Sequence, residues 1–115
     1  MTNARRKGAN GEREAAAAWL QATGLLSHRG CQHRGGPDSP DIVTVPGQVH
    51  VEVKRRRRIA AMDYLRQAEH DAPGGAIPVT LYREDGDTRW VLAVRLDRLV
   101  DLAEELVRAR AETVL

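Results

Sequence analysis

The chain has 115 residues, with 18 Lys and Arg against 16 Asp and Glu, and a formal net charge of +2. That length supports one domain around one modest core. The lone cysteine, Cys31, excludes an intrachain disulfide and a cysteine-based zinc site, and no apolar run reaches membrane-spanning length. With no signal-peptide core at the N-terminus either, we expect a soluble cytoplasmic protein in reducing surroundings, with no membrane partner.

Residues 1–7 are polar and basic, with Arg5, Arg6 and Lys7 in succession, and read as a flexible arm. From Ala9 to about Thr23, strong helix formers follow Asn10 as a candidate cap, acids occupy the first turn, and Gly24 stops the run. Glu12, Ala15, Ala16 and Trp19 share one face at spacings of three and four, which puts a carboxylate at the edge of the buried stripe. Taken alone, an acid there is ordinarily a helix-dipole residue. Leu25 to His33 reads as a first strand, and Arg34 to Pro40 as a loop rich in glycine and proline. A Pro-Asp pair occurs at both Asp38 and Asp41; Asp41 continues into Ile42 and Val43 as a strand, whereas Asp38 suits a turn.

The stretch from Pro40 to Arg58 carries most of the chemistry. It reads as two short strands joined at Pro46-Gly47. A tight turn with Val45 opposite Gln48 also sets Asp41 across from Glu52, and a slip of one residue breaks that alignment. Glu52 and Lys54, two apart on a strand, share a face. Two carboxylates and an ammonium on one patch suit a hard divalent cation and a phosphate. The plain alternative is an ion pair across a surface hairpin, which stabilises little. Only Lys7 and Lys54 are lysines, so a lysine within Glu-Val-Lys supports a position needing a compact ammonium. Arg55 to Arg58 follow directly, and together with the basic groups near residues 5–7 and 29–34 they suggest a face aimed at a polyanion. His33 and His50 read as packed or surface residues and stay outside the site.

Ile59 to about Asp71 reads as a second helix with Ile59, Met62, Leu65 and Ala68 inward, ended by Pro73-Gly74-Gly75. Ile77 to Tyr82 and Trp90 to Val94 read as strands around the turn Glu84-Asp85-Gly86-Asp87. Leu96 to Val107 follows as an amphipathic helix through Leu96, Leu99, Val100, Ala103 and Val107, with 108–115 as a tail. The whole of 1–115 therefore reads as one domain: helix, three strands, helix, two strands, helix. That order is an α/β fold, a mixed sheet with helices packed on it.

The Asp41 … Glu52-Val53-Lys54 pattern resembles the PD-(D/E)XK nuclease superfamily. Lys7-Gly8-Ala9-Asn10-Gly11-Glu12-Arg13-Glu14 resembles the opening of archaeal-type Holliday junction resolvases. Gly74-Gly75-Ala76-Ile77-Pro78-Val79, followed by Trp90 and apolar residues, is similar to the strand pair after that family's second helix. The likeness runs in the same order over about residues 5–97. It implies a restriction-endonuclease-like α/β fold, with a mixed five-stranded sheet flanked by helices. The activity implied is a metal-dependent endonuclease that resolves four-way junctions in DNA recombination and repair. Active-site roles fall on Glu12, Asp41, Glu52 and Lys54, and DNA-holding roles on Arg13, Arg34 and Arg83, beside Arg55, Arg56 and Arg57 of the basic run. The chain departs from the family in a longer segment between Gly24 and Asp41. It also departs in its second helix, part of the family's dimer contact, which has no aromatic besides Tyr64.

In the implied chemistry Mg²⁺, with Mn²⁺ as a substitute, is held by Asp41 and Glu52, by the Val53 carbonyl, and by Glu12 directly or through water. Lys54 then orients or deprotonates the attacking water and steadies the phosphate. The implied partner is branched DNA gripped through its phosphates by a homodimer, whose two sites match two symmetric strands. Two other readings stay open. One is a phage or mobile-element endonuclease of the same chemistry that cuts forks, flaps or duplex. The other is a non-catalytic DNA-binding module that uses the basic face alone.

Overall fold

Aliphatic residues cluster in two places, Val49-Val51-Val53 and Ile77-Val79-Leu81, and these become the centre of the sheet. The computed structural model describes residues 2–30, 40–44 and 46–113, with side chains within those ranges from residue 7 to residue 112. In chain order the elements are α1 (Thr2–Thr23), β1 (Ser27–Arg29), β2 (Ile42–Thr44), β3 (Val49–Arg56), α2 (Ala61–Asp71), β4 (Ile77–Glu84), β5 (Val91–Ala93) and α3 (Leu99–Thr113), with a short 3₁₀ turn at Leu96–Arg98 before α3. The five strands lie in sequence order in one mixed sheet. β3 and β4 pair in parallel through the α2 crossover, and the other neighbours pair antiparallel.

Alternation along β3 and β4 sorts the two faces of the sheet. Val49, Val51, Val53, Ile77, Val79 and Leu81 form one face with Ile42, and Ala15, Ala16 and Trp19 of α1 and Leu102 of α3 complete that core. Each such aliphatic side chain taken from water contributes roughly 1.5–3 kcal/mol. His50, Glu52 and Lys54 occupy the opposite face beside Thr80 and Tyr82, under α2 with its buried Tyr64, Leu65 and Ala68. The sheet is apolar on one side and carries His50, Glu52 and Lys54 on the other.

The expected register holds. Ile42 pairs with Val51, and the same alignment carried one step outward sets Asp41 opposite Glu52. The turn is closed by the Val49 amide donating to the Pro46 carbonyl at 3.3 Å, and the Thr44 hydroxyl donates to the same oxygen at 2.9 Å. Val45 lies outside the described residues, as do the Cys31, His33, Arg34 and Asp38 positions singled out in the sequence.

Four expectations are corrected. The basic arm is helical: α1 begins at Thr2, so Asn10 sits inside the helix and caps nothing. Arginine and lysine are good helix formers, and Lys7 is tied to Asp85 at the far end of β4. The tail beyond residue 107 continues α3 to Thr113. α2 turns its Tyr64, Leu65 and Ala68 inward and leaves Met62 44% exposed, a rotation that lets Tyr64 meet Tyr82 with ring centroids 6.3 Å apart. On α3 the buried side is Leu102 and Ala109, with Leu106 partly covered, and the expected stripe faces outward. Both series on α3 recur at helical spacing, so periodicity alone could not choose between them.

Gly30 closes the base of the segment before β2. Its amide donates to the Asp41 carbonyl at 2.8 Å, and a Cβ there would lie 2.3 Å from the Pro40 carbonyl oxygen. Gly30→Ala is expected to destabilise the chain by about 1–3 kcal/mol through overpacking against backbone. Urea unfolding checks this, and an unchanged midpoint would contradict it.

Candidate active site

Asp41 stands at the bend that opens β2, and two hydrogen bonds fix it. Its amide donates to the Val51 carbonyl at 3.0 Å, and its Oδ2 accepts the Val53 amide at 2.8 Å. Val53 thus points its amide toward the β2 side, beyond the last paired residue, and in an extended strand its carbonyl points the same way. The side chain of Asp41 therefore takes the place of a missing strand partner.

Glu52 lies in the middle of β3 and is 3% exposed. Its backbone carbonyl accepts the buried Thr80 hydroxyl at 3.1 Å. Lys54 Nζ stands 3.6 Å from Glu52 Oε1 and 6.0 Å from the centre of the Tyr64 ring. Glu12 reaches in from α1, buried, and its Oε1 accepts Arg29 Nε at 2.7 Å. The four expected residues form one run of neighbours along the edge of β3 that β2 leaves unpaired: Glu12 and Glu52 each reach Asp41, and Lys54 stands beside Glu52.

The electrostatics show how tightly they sit. Burial pushes the Glu52 carboxyl up to about 8, the charge of Asp41 and a hydrogen bond to it add to the rise, Lys54 opposes it, and Asp71 adds a little more. Burial also raises Glu12; the Arg29 hydrogen bond lowers it and Asp41 raises it again. Asp41 acts on both glutamates, by its charge and by a hydrogen bond to each, and so stands within reach of both. Two carboxyl groups held side by side in a water-poor site offer a cation strong reason to bind.

Among the described residues, no group of three or more His, Cys, Asp or Glu side chains has the arrangement to hold a metal by itself. What the site offers is a pair, Asp41 and Glu52, with the Val53 carbonyl on the same edge. Mg²⁺ keeps several waters and needs only one or two carboxylates, so the pair fits that ion. Glu12, held by Arg29 on the other side of Asp41, suits a water-mediated place better than a direct one.

The arginines divide into two groups. Arg55 is drawn inward, with Nη1 2.7 Å from Glu14 Oε1 and Nε 3.3 Å from Asp85 Oδ1. Arg83 is buried, places Nη2 2.9 Å from Glu14 Oε2, and lies over the Trp90 ring at 5.6 Å. Arg13, Arg56, Arg57 and Arg58 are exposed. Sequence reasoning missed Arg29 as the partner of Glu12, and Glu14 as the hub joining α1 to Arg55 and Arg83. Alternation in β1 puts Arg29 on the same face as Ser27, whose hydroxyl donates to the Ala16 carbonyl on α1. That was the one available hint.

No family model, curated protein or solved structure matches the chain. The fold is α/β, a five-stranded mixed sheet flanked by helices, and no described helix is long and apolar enough to cross a membrane. The functional reading therefore rests on the site's own geometry.

Proposed function

We propose that this chain is a Mg²⁺-dependent, structure-specific DNA endonuclease of PD-(D/E)XK type that acts on four-way junctions as a homodimer. The observation that carries the reading is the meeting of Glu12, Asp41, Glu52 and Lys54, with a Glu52 carboxyl raised to about 8 beside Asp41. A surface ion pair across a hairpin would be exposed and would show no such rise.

Phosphodiester hydrolysis needs an activated water and positive charge against the phosphate. A bound Mg²⁺ supplies Lewis-acid charge and acidifies water. Asp41 and Glu52 hold it, and the Val53 amide keeps Asp41 in place. Arg29 keeps Glu12 oriented toward the same edge. Lys54, with its side chain only 15% exposed, presents an ammonium beside the carboxylates, where it orients the attacking water and steadies negative charge on the phosphate. Arg56, Arg57 and Arg58 continue outward from Lys54 and, with Arg13, offer contacts to flanking phosphates without reading bases.

Cleavage of an immobile four-way junction, compared with linear duplex, splayed arms and flaps in Mg²⁺ and in Mn²⁺, tests the reading. Symmetric paired nicks on the junction are expected. Preferred cutting of forks or flaps would keep the chemistry and replace the substrate. Binding without cleavage of any DNA would leave a basic binding module. Because Arg55 and Arg83 are already ion-paired, junction affinity should follow log salt with a slope of about −3.6 per protomer if the exposed Arg13, Arg56, Arg57 and Arg58 each meet one phosphate. A slope well beyond −5 would mean that the internal pairs open on DNA.

A further inference from the structure

A lysine ammonium hangs on a long, flexible stem and needs contacts to keep one place. Lys54 has them on two sides: its Nζ stands 3.6 Å from Glu52 Oε1 and 6.0 Å from the centre of the Tyr64 ring. Tyr82, the register partner of Lys54 on β4, backs that ring at 6.3 Å between centroids. Tyr64 also reaches back along the chain, where its hydroxyl donates to the Arg58 carbonyl at 3.2 Å. β3 ends at Arg56 and α2 begins at Ala61, so this bond spans the bend that carries the exposed Arg57 and Arg58. Ala60 gives α2 no side-chain cap. The entry to the helix is held instead by Tyr64, through its amide on the Ala60 carbonyl at 3.1 Å and its hydroxyl on Arg58. The rotation of α2 that buries Tyr64 and leaves Met62 open creates both contacts.

We propose that Tyr64 is a positioning residue with two separable duties: its ring holds the Lys54 ammonium beside Glu52, and its hydroxyl holds the bend that presents Arg57 and Arg58 to phosphate. An aromatic face attracts a cation, and more strongly where water is scarce, as it is around this partly buried side chain. Once the Glu52 carboxylate is engaged by a metal, the ring is the anchor that Lys54 keeps. An aromatic that only filled space would make neither directed contact. The catalytic consequence rests on the nuclease reading above, whereas the placement of the ammonium does not.

Lys7 and Lys54 are the only lysines, so lysine-labelled protein gives two side-chain signals by NMR, and Lys7→Arg assigns them. The ε-methylene protons of Lys54 should lie upfield of those of Lys7 through the ring current of Tyr64. They should stay there in Tyr64→Phe and move to the Lys7 position in Tyr64→Leu. With junction DNA, Tyr64→Leu should lower kcat by about 3- to 30-fold, and Tyr64→Phe, which keeps the ring, by less than about twofold. Both lack the hydroxyl, so both should raise KM, and the metal-free dissociation constant for the junction, by about 2- to 10-fold. Lys54 signals that Tyr64→Leu leaves in place overturn the role of the ring, as does an equal fall of kcat in the two variants. Unchanged KM and junction affinity in Tyr64→Phe overturn the role of the hydroxyl. If helix content and urea unfolding show that leucine is not tolerated at so buried a site, the wild-type spectrum and Tyr64→Phe decide, and an unshifted Lys54 signal sinks the ring contact. A wild-type chain that shows the upfield shift but cuts no DNA counts against the nuclease reading and leaves the placement of Lys54 standing.

Discussion

Replacing Glu52 with glutamine should lower Mg²⁺-dependent cleavage by at least about a thousandfold, since it deletes one of the two carboxylates proposed to hold the ion. DNA binding without metal should be unchanged, because the Glu52 carboxyl already holds its proton below about pH 8. The same variant has a signature that does not depend on catalysis. Burial and Asp41 raise the Glu52 carboxyl from 4.5 in the unfolded chain to about 8 in the folded one. Between those values the folded state holds the extra proton, so stability without metal should fall as pH rises through that window, by up to about 1.4 kcal/mol per unit. Glu52→Gln cannot lose that proton and should flatten the slope. Urea melts at pH 5 and pH 8 in chelator, together with single-turnover cleavage at pH 8, check both halves. Wild-type cutting by the variant would sink the site assignment, and an unaltered pH slope would sink the account of its electrostatics.

Lys54→Met should reduce cleavage by about 10²- to 10⁴-fold, the range for loss of a positioned proton-transfer or charge-stabilising group. Methionine fills the stem's place against Tyr64, so folding should survive. Lys54→Arg should rescue little, because a planar fork cannot stand where a compact ammonium fits between Glu52 and the Tyr64 ring. Lys54 also opposes the rise of the Glu52 carboxyl, so its removal should shift the pH dependence of stability to higher pH. Single-turnover rates with junction DNA, measured beside binding, separate a catalytic loss from a binding loss. Equal loss of both would make Lys54 a phosphate anchor only.

How much of this could be read in the chain depended on whether the information was local. Strand alternation and the Pro46-Gly47 turn were enough to place Asp41 across from Glu52, because register fixes every pair at once. Helical spacing put Glu12 at the edge of the buried stripe for the same kind of reason. The faces of α2 and α3 were not legible. Each carries apolar residues on more than one side, and the choice is made by partners such as Tyr82 and the core around Leu102, which lie far off in sequence. Ion pairs escaped for a similar reason. Arg29 with Glu12, and Glu14 with Arg55 and Arg83, join residues between 17 and 69 positions apart, and no period announces them. The arginine run looked uniform as text; folding assigned its first member inward and the next three outward.

The hydrogen bond from the Gly30 amide to the Asp41 carbonyl has a consequence for how such a chain can change. It ties Gly30 to Asp41 across ten positions of sequence, while Val51 and Val53 grip the acid from the strand side. Evolution or an engineer could therefore rewrite the sequence between Gly30 and Asp41 while the carboxylate stays anchored.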